Sequence, residues 1–269
     1  MPELPEVETV RNVLKKRVLN KTIKDVNIFF NKTIADDNQE FVRKIKNQKI
    51  NDIKRRGKWL LFELDDYYML SHLRMEGKYI FRKKGEVVNK HEHVAFLLDD
   101  DTEFRYQDSR KFGRIYLIDK NNLENCKLKT LGPEPDQINF SYLKKKYQSK
   151  SIAIKSSLLD QTIFVGLGNI YADEVLFLSK ISPIRKTNSL TDVEIKNVIK
   201  NTQKVLNKAI ALGGSTIKTY TPEEGVTGLF QNELLVHSKK GDPCLKCNHP
   251  ITKIKVGGRG TYFCEKCQK

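Results

Sequence analysis

The chain has 269 residues, 39% of them apolar, and carries a formal charge of +16 from 49 Lys and Arg against 33 Asp and Glu. This apolar content argues against disorder, and no apolar run approaches the roughly 18 residues of a membrane span. The first residues are acidic, so we expect no secretory signal and a cytoplasmic protein. The length allows two domains, and the charge favours a polyanionic partner, although a solvated lysine-rich surface has the same composition.

The opening stretch, MPELPEVETV, predicts an amphipathic helix over residues 5–18. Pro5 and Glu6 suit the first turn of a helix and its dipole. Apolar residues then recur at helical spacing, at Val7, Val10, Leu14 and Val18. One face of this helix is therefore expected to be buried.

From about Lys21 to Asp119 the pattern changes to short β-branched and aromatic segments separated by Gly or Asp turns. These segments predict a β-sandwich or barrel: TIKDVNIFF, KWLLFEL, KYIFRK, HVAFLL, TEFRYQD and RIYLID. Two prolines in LGPEPDQ (131–137) disfavour helix and indicate a linker. Helical stretches follow: SYLKKKYQ, SIAIKSSLLDQ, NIYADEVLFLSKI and TDVEIKNVIKNTQKVLNKAIALGG, the last ending in a Gly213–Gly214 cap.

Four of the five cysteines lie near the C-terminus in two C-x-x-C pairs: Cys244, Cys247, Cys264 and Cys267. Two such pairs predict a structural Zn²⁺ site with four thiolate ligands, closed to catalysis, whose metal supplies folding energy to the short tail. Disulfides are the alternative, but they are rare in cytosolic proteins. The remaining thiol, Cys126, is expected to be buried or idle.

Between the two pairs lies VGGRGTYF, which predicts a hairpin tip that presents Arg259. Arginine on such a turn can bind a phosphate with two hydrogen bonds, although an ordinary exposed turn residue would give the same pattern.

Removal of Met1 would leave Pro2 as the amino terminus, with a secondary amine. Such an amine is less basic than lysine and is a candidate nucleophile, which could form an iminium with a sugar C1′. Glu3 is placed to move protons beside it. From these residues alone, a plain helix start is the favoured interpretation.

Several motifs together resemble bacterial formamidopyrimidine-DNA glycosylase: MPELPEVETV, RRGKWLLFEL, SHLRMEGKY, DSRKFGR, LGPEP, LLDQTIFVGLGNIYADE, GGSTIKTY and the four-cysteine ribbon. The resemblance runs in order from Pro2 to Gln268. It implies an α+β multidomain fold: an N-terminal catalytic β-sandwich with a leading helix (1–130), a linker (131–137), a helix–two-turns–helix DNA-binding domain with a base-capping loop (138–235) and a zinc finger (236–269).

The implied activity is excision of oxidised purines, 8-oxoguanine and formamidopyrimidines, from double-stranded DNA, followed by β- and δ-elimination. Pro2 corresponds to the Schiff-base nucleophile and Glu3 to the proton donor. Lys58 corresponds to the lysine of β-elimination, although the residues alone suggest an exposed strand lysine. Arg259 corresponds to the arginine that binds the lesion phosphate and assists δ-elimination.

The resemblance also implies residues that contact the duplex at the position from which the damaged nucleotide is extruded. Met75 and Phe112 correspond to wedges that fill the vacated space, and Arg110 to the residue that binds the orphaned cytosine. Without the resemblance, Phe112 could equally point into the sandwich. The segment TIKTY (216–220) corresponds to the start of the loop that closes over the everted base.

Three further positions correspond to contacts with DNA phosphate: His91, Lys155 and Asn169. Gly166 and Gly168 permit tight turns before Asn169, which is expected to open a helix whose free N–H groups face an anion. A plain turn with a helix cap is the alternative.

The chain departs from the family pattern at His237, Ser238 and Lys239, where a VYGR-like run is more usual, and at Gly260, where Ser or Thr is usual. Two other functions fit parts of the sequence. Endonuclease VIII, which prefers oxidised pyrimidines, shares the layout, but Leu4 and DSRKFGR argue against it. A non-catalytic zinc-dependent DNA-binding protein would have the same charge and ribbon. No feature suggests an oligomer, and we expect a monomer associated with the bacterial nucleoid through DNA.

Overall fold

A computed structural model describes residues 2–215 and 228–269 of the chain. Their contacts divide into two compact units. Among the described residues, the first unit comprises Pro2, Glu6–Lys129 and Gly228, and the second comprises Glu3–Pro5, Thr130–Ser215 and Leu229–Lys269. No helix in the described ranges is long and apolar enough to cross a membrane.

Helix α1 spans Leu4–Val18 and confirms the predicted amphipathic helix. Strands and a second helix follow along the chain: β1 (Ile23–Ile28), α2 (Asn38–Ile45), β2 (Asp52–Arg56), β3 (Trp59–Glu63), β4 (Tyr67–His72), β5 (Lys78–Lys83), β6 (Glu92–Leu98), β7 (Thr102–Gln107) and β8 (Arg114–Asp119). These strands form two four-stranded antiparallel sheets, ordered β1-β6-β7-β5 and β2-β3-β4-β8.

The core of the first unit lies between these sheets. The Phe62 ring of β3 stacks on Phe104 of β7 with centroids 6.0 Å apart, and meets Tyr79 of β5 at 5.7 Å. Side chains of α1 such as Val7 and Leu14 join the same core. The unit is therefore a β-sandwich, as the sequence predicts, and not a barrel.

Helix α2 interrupts the segment from Lys21 to Asp119, whose pattern predicts only strands. The Asp37 carboxylate caps it by accepting the backbone N–H of Glu40 at 2.9 Å. Phe41 and Ile45, four residues apart, are buried on one face. These two signals were present in the sequence, but the surrounding strand pattern obscured them.

The second unit is built mainly from helices: α3 (Phe140–Gln148), α4 (Ile154–Leu159), α5 (Asn169–Ser179) and α6 (Asp192–Ala211). A two-stranded antiparallel hairpin, β9 (Thr252–Val256) and β10 (Arg259–Phe263), completes it. The predicted glycine cap of α6 is confirmed, because Gly213 and Gly214 have φ of 72° and 79°. Within the predicted linker, where the two prolines were expected to disfavour helix, Pro135–Gln137 forms one 3₁₀ turn. A capping box between Glu134 and Gln137 stabilises this turn.

Candidate functional site

The carboxylate of Glu3 lies buried at the N-terminal end of helix α5. Its oxygens accept the backbone N–H groups of Gly168 at 2.6 Å and Ile170 at 2.9 Å. A side chain at Gly168 would clash, because a Cβ there would stand 2.3 Å from the Glu3 carboxyl carbon. The positive end of the helix dipole stabilises this negative charge.

This arrangement modifies the expectation for Asn169. Helix α5 does begin at Asn169, as predicted. However, the N–H groups of Gly168 and Ile170 are not free for a phosphate, because the chain's own Glu3 carboxylate accepts both. The anion at this helix end is therefore an internal one.

The backbone beside Glu3 is attached to the same loop. Leu4 donates its N–H to the carbonyl of Gly166 at 3.1 Å. Gly166 has φ of 101°, and a Cβ there would stand 2.4 Å from Leu4 Cδ1, so only glycine allows this close approach. Residues 3 and 4 are thus fixed to the loop before α5 by both backbone and side chain.

Pro2 and Lys58 belong to the first unit, and both are buried. Met1 lies outside the described residues, and its removal is a condition of the Pro2 hypothesis. Lys58 lies in the turn between β2 and β3, directly after Gly57, whose φ is 56°. It is only 7% exposed, which corrects the exposed strand lysine that the residues alone suggest.

The charge of Lys58 acts on the neighbouring strand β4. Burial, and then the positive charges of Arg74 and Lys58, lower the pKa of His72 to about 3. The His72 ring meets Trp59 edge-on, with centroids 4.7 Å apart. His72 is therefore uncharged at neutral pH and adds no positive charge beside Lys58.

Lys155 is not the surface residue that a direct phosphate contact requires. Its side chain is fully buried, and its ammonium donates to the Asp173 carboxylate at 2.5 Å and to the carbonyl of Asn169 at 2.9 Å. Burial lowers the pKa of Lys155, and the Asp173 carboxylate opposes that change. The other oxygen of Asp173 lies 2.7 Å from Nδ1 of His237. Lys155 thus fixes the start of α5.

Asn169 connects helix α5 to the C-terminal hairpin within the second unit. Its Nδ2 donates to the carbonyl of Gly260 at 2.8 Å, one residue beyond Arg259. Arg259 is exposed at the start of β10, after Gly257 and Gly258 with φ of 53° and 77°. The predicted hairpin tip is therefore present, and Asn169 fixes its position relative to α5.

Two loops of the first unit carry the predicted wedge residues. Phe112 is 50% exposed, and the guanidinium of Arg110 lies 4.9 Å from its ring centroid. Met75 is partly exposed in the loop between β4 and β5. Ser109 donates a hydrogen bond to Glu76, which joins the two loops. Phe112 therefore points outward, not into the sandwich core.

His91 lies directly before β6, next to the loop that carries Phe112. Its backbone carbonyl accepts the N–H of Asp108 at 3.0 Å. Nδ1 of its ring is buried and has no hydrogen-bond partner among the residues that the structure describes. The base-capping segment 216–220 lies outside the described residues.

The four C-terminal cysteines converge on one point. The Sγ atoms of Cys244, Cys247, Cys264 and Cys267 all lie within 4.8 Å of one another. Two of the separations are 3.9 and 3.5 Å, close to the roughly 3.8 Å between ligands of a tetrahedral Zn²⁺ with Zn–S bonds of about 2.3 Å. The cluster therefore fits one zinc ion, as predicted. The remaining cysteine, Cys126, is a partly buried free thiol.

Three buried carboxylates were not expected from the sequence. Asp108 accepts three backbone N–H groups of the loop that carries Phe112. An Asp at the start of a glycine-containing loop is a sequence signal for such a turn. Asp173 and Glu174 interrupt the apolar run of α5, which indicates paired buried charges. Glu174 accepts the N–H groups of three consecutive residues in the segment before the cysteines: Leu235, Val236 and His237.

Family models match three consecutive parts of the chain. Residues 1–115 match the formamidopyrimidine-DNA glycosylase N-terminal domain, and residues 131–221 match the H2TH domain of that enzyme. Residues 241–269 match a zinc finger found in FPG and IleRS.

Similarity to individual proteins extends over the whole chain. Formamidopyrimidine-DNA glycosylase of Ligilactobacillus salivarius is 49% identical, covering 100% of this chain and 99% of that protein, and the Bacillus subtilis protein is 47% identical. A Lactococcus lactis FPG mutant in complex with Fapy-dG DNA is 41% identical and superposes with a TM-score of 0.95 over 100% of both chains. A MutM complex with carbocyclic 8-oxo-G DNA is 40% identical, with a TM-score of 0.94 and full coverage of both chains. The chain belongs to the formamidopyrimidine-DNA glycosylase family.

Proposed function

We propose that this protein is a base-excision repair enzyme that removes oxidised purines from double-stranded DNA and then cleaves the strand as a lyase. Its similarity to solved complexes with Fapy-dG, carbocyclic 8-oxo-G and abasic-site DNA supports the substrate class. The observation that carries the proposal is the double hydrogen bond of the Glu3 carboxylate, which fixes the backbone directly after Pro2. A terminus held in this way is suited to chemistry, because a reacting group must be kept in place.

In the first step, Pro2 is the nucleophile. After removal of Met1, its secondary amine attacks C1′ of the damaged nucleotide, and the bond from C1′ to the base breaks with its electron pair leaving on the base. The Glu3 carboxylate takes the proton that the Pro2 nitrogen loses on attack. As the C1′–O4′ bond opens, Glu3 passes this proton to O4′. The product is an iminium that joins Pro2 to C1′.

Lys58 and Arg259 act in the later steps of the proposed reaction. The iminium acidifies C2′, and water, assisted by Lys58, takes the C2′ proton. The C3′–O3′ bond then breaks, with its electron pair leaving on the 3′ phosphate. A second elimination breaks the C5′–O5′ bond. Arg259, exposed at the hairpin tip, binds the lesion phosphate with its two-pronged guanidinium and assists the departure of this phosphate.

Extrusion of the damaged nucleotide leaves a gap in the duplex that costs a few kcal/mol. We assign Met75 and Phe112 to filling this gap and Arg110 to the cytosine left opposite. The outward position of Phe112, 50% exposed, supports this role. The contact between Arg110 and the Phe112 ring keeps the two side chains together before DNA is bound.

His91 and Asn169 are the proposed phosphate contacts, with Lys155 as a support that fixes the Asn169 backbone. The zinc ion, bound by the four cysteines, stabilises the finger that presents Arg259 and takes no part in the chemistry. The domain bounds predicted from the sequence remain part of the proposal. We further propose a monomer, located with its DNA substrate in the bacterial cytoplasm.

The test is a strand-cleavage assay on matched duplexes that contain 8-oxoguanine opposite C or thymine glycol. We expect preferential cleavage of the 8-oxoguanine strand, with phosphate left at both ends of a one-nucleotide gap. A preference for thymine glycol would contradict the substrate class. Excision that leaves an uncleaved abasic site would contradict the lyase activity while leaving the glycosylase in place.

A further inference from the structure

The loop that carries Arg110 and Phe112 is organised around one buried carboxylate, that of Asp108. One oxygen accepts the backbone N–H of Arg110 at 3.0 Å, and the other accepts those of Phe112 at 2.9 Å and Gly113 at 2.8 Å. Asp108 is fully buried. No lysine or arginine side chain in the described ranges forms an ion pair with it. The carboxylate therefore binds the backbone N–H groups of the loop and, within the described part of the chain, neutralises no cationic side chain.

The backbone of Asp108 is itself fixed to strand β6. Its N–H donates to the carbonyl of His91 at 3.0 Å. Its carbonyl oxygen lies 2.7 Å from Nε2 of the buried His93 ring, and since a carbonyl only accepts, this nitrogen carries the hydrogen. The backbone of Asp108 is therefore fixed to His91 and His93, and its carboxylate positions the loop relative to them.

The loop conformation requires such an anchor. Lys111, between the two candidate residues, has φ of 60°, a left-handed conformation that costs a non-glycine residue about 1 kcal/mol. Its ammonium lies 4.6 Å from the ring centroid of Phe30. The hydrogen bonds to Asp108 on either side of Lys111 offset this cost and hold Arg110 and Phe112 at a set angle.

The loop that carries Arg110 and Phe112 is also in contact with the loop of Met75. Gly77 and Gly113 both lie against the phenol of Tyr106, where a Cβ would stand 2.2 Å and 1.5 Å from the hydroxyl oxygen. The hydrogen bond from Ser109 to Glu76 is a second link between the loops. Met75, Arg110 and Phe112 are therefore presented by one assembly that includes Asp108.

We propose that Asp108 is a positioning residue that determines specificity for the base opposite the lesion. This inference rests on the proposed function, in which Arg110 binds the orphaned cytosine. An arginine distinguishes cytosine from adenine only if its donors are aimed correctly, and Asp108 controls that aim through the Arg110 backbone. Asp108 is placed to act through the loop, without contacting DNA itself.

The substitution that tests this is Asp108→Asn, which keeps the shape of the side chain. An amide presents hydrogens where a carboxylate oxygen accepted, so at least one loop N–H loses its partner. Arg110 and Phe112 remain in the chain but are no longer held by three bonds. Asp100→Asn is the matched control, because Asp100 caps the turn between β6 and β7 by accepting from the backbone and hydroxyl of Thr102.

The measurement is the ratio of kcat/KM for 8-oxoguanine opposite C to that opposite A. We expect Asp108→Asn to lower this ratio about ten-fold, equivalent to about 1.4 kcal/mol, mainly by slowing excision opposite C. Asp100→Asn should keep the wild-type ratio. In an Arg110→Ala background, Asp108→Asn should not change the ratio further, because the residue through which it acts is gone.

A wild-type ratio in Asp108→Asn, or an equal change in the Arg110→Ala background, would overturn the inference and leave the proposed function intact. Wild-type protein that excises no 8-oxoguanine would instead refute the proposed function. If Asp108→Asn does not fold, amide hydrogen exchange of the wild type decides. The Phe112 and Gly113 amides should exchange at least about 100-fold more slowly than unstructured amides, and rates equal to those of unstructured amides would overturn the proposal.

Discussion

Two pairs of candidate residues, one pair in each unit, are held in opposite ways. In the first unit, Arg110 and Phe112 are exposed on a loop whose backbone is fixed from beneath. In the second, Glu3 and Lys155 are buried, and their charged groups are bonded to the start of α5. An exposed side chain can be replaced without disturbing the fold, whereas a buried, paired charge is part of it. Substitutions of Arg110 and Phe112 should therefore alter activity alone, whereas substitutions of Glu3 and Lys155 should alter both stability and activity.

Loss of zinc is expected to have the largest effect on DNA binding, and it should unfold the finger of the second unit without changing the first unit. Structural zinc contributes on the order of 10 kcal/mol in small fingers. Chelation or Cys247→Ser should unfold the finger and weaken binding of lesion-containing DNA at least about 100-fold. Emission of the single tryptophan, Trp59 in the sandwich, should not change.

The control for that experiment is Cys126→Ser, which removes the cysteine outside the cluster. Its DNA affinity should equal that of the wild type. Undiminished binding after complete removal of zinc would rule out the role given to the finger.

The next effect concerns the buried ion pair of the second unit. Lys155→Met leaves the Asp173 carboxylate buried without its ammonium, which should cost about 4 kcal/mol of unfolding free energy. The matched control is Lys144→Met, because Lys144 pairs with Asp192 at 2.8 Å on the surface and such pairs contribute at most about 1 kcal/mol. Thermal or denaturant unfolding measures both. Equal midpoints for the two variants would show that burial of Lys155 does not matter.

The unfolding free energy of the first unit should depend on pH through His72. The pKa of His72 is about 3 in the folded protein against 6.5 ordinarily, so the unfolded chain binds the proton more tightly. The stability contributed by neutral His72 is fully present above pH 6.5 and is lost as the pH falls toward 3. Between pH 7 and pH 4, unfolding free energy should fall by about 3 kcal/mol more in the wild type than in His72→Gln. Parallel pH profiles would contradict this.

The smallest effect on stability is expected at the exposed wedge. Phe112→Ala should reduce excision of 8-oxoguanine about ten-fold, or about 1.4 kcal/mol in the barrier, yet change unfolding free energy by less than about 0.5 kcal/mol. Phe29→Ala is the matched control, since Phe29 is 49% exposed, much like Phe112 at 50%, and has no assigned role. If both variants lose activity equally, the wedge assignment is wrong.

Features that depend on local spacing could be predicted from the sequence. The two C-x-x-C pairs predicted the zinc site, and glycines after a long apolar-periodic stretch predicted the end of α6. The β-branched segments predicted the sandwich, although not the order of its strands. Strand order and register depend on pairings between distant segments, which no local pattern encodes.

The parts of the site that escaped prediction depend on distant partners. Glu3 bonds to residues more than 160 positions away, and Lys155 to Asp173 on another helix. A buried lysine and an exposed lysine look alike in sequence until their partners are known. Asp108 is the exception, because its bonds are local and an Asp before a glycine-containing loop was a usable signal.

The central claim is that the imino group of Pro2, fixed through Glu3, forms the covalent intermediate. The direct measurement is borohydride trapping on duplex DNA containing 8-oxoguanine, with the cross-linked peptide mapped by mass spectrometry. Protein that has lost Met1 should give a cross-link at Pro2, and protein that retains Met1 should give none. Full cleavage activity by protein that retains Met1, or a cross-link at a lysine instead, would contradict the account.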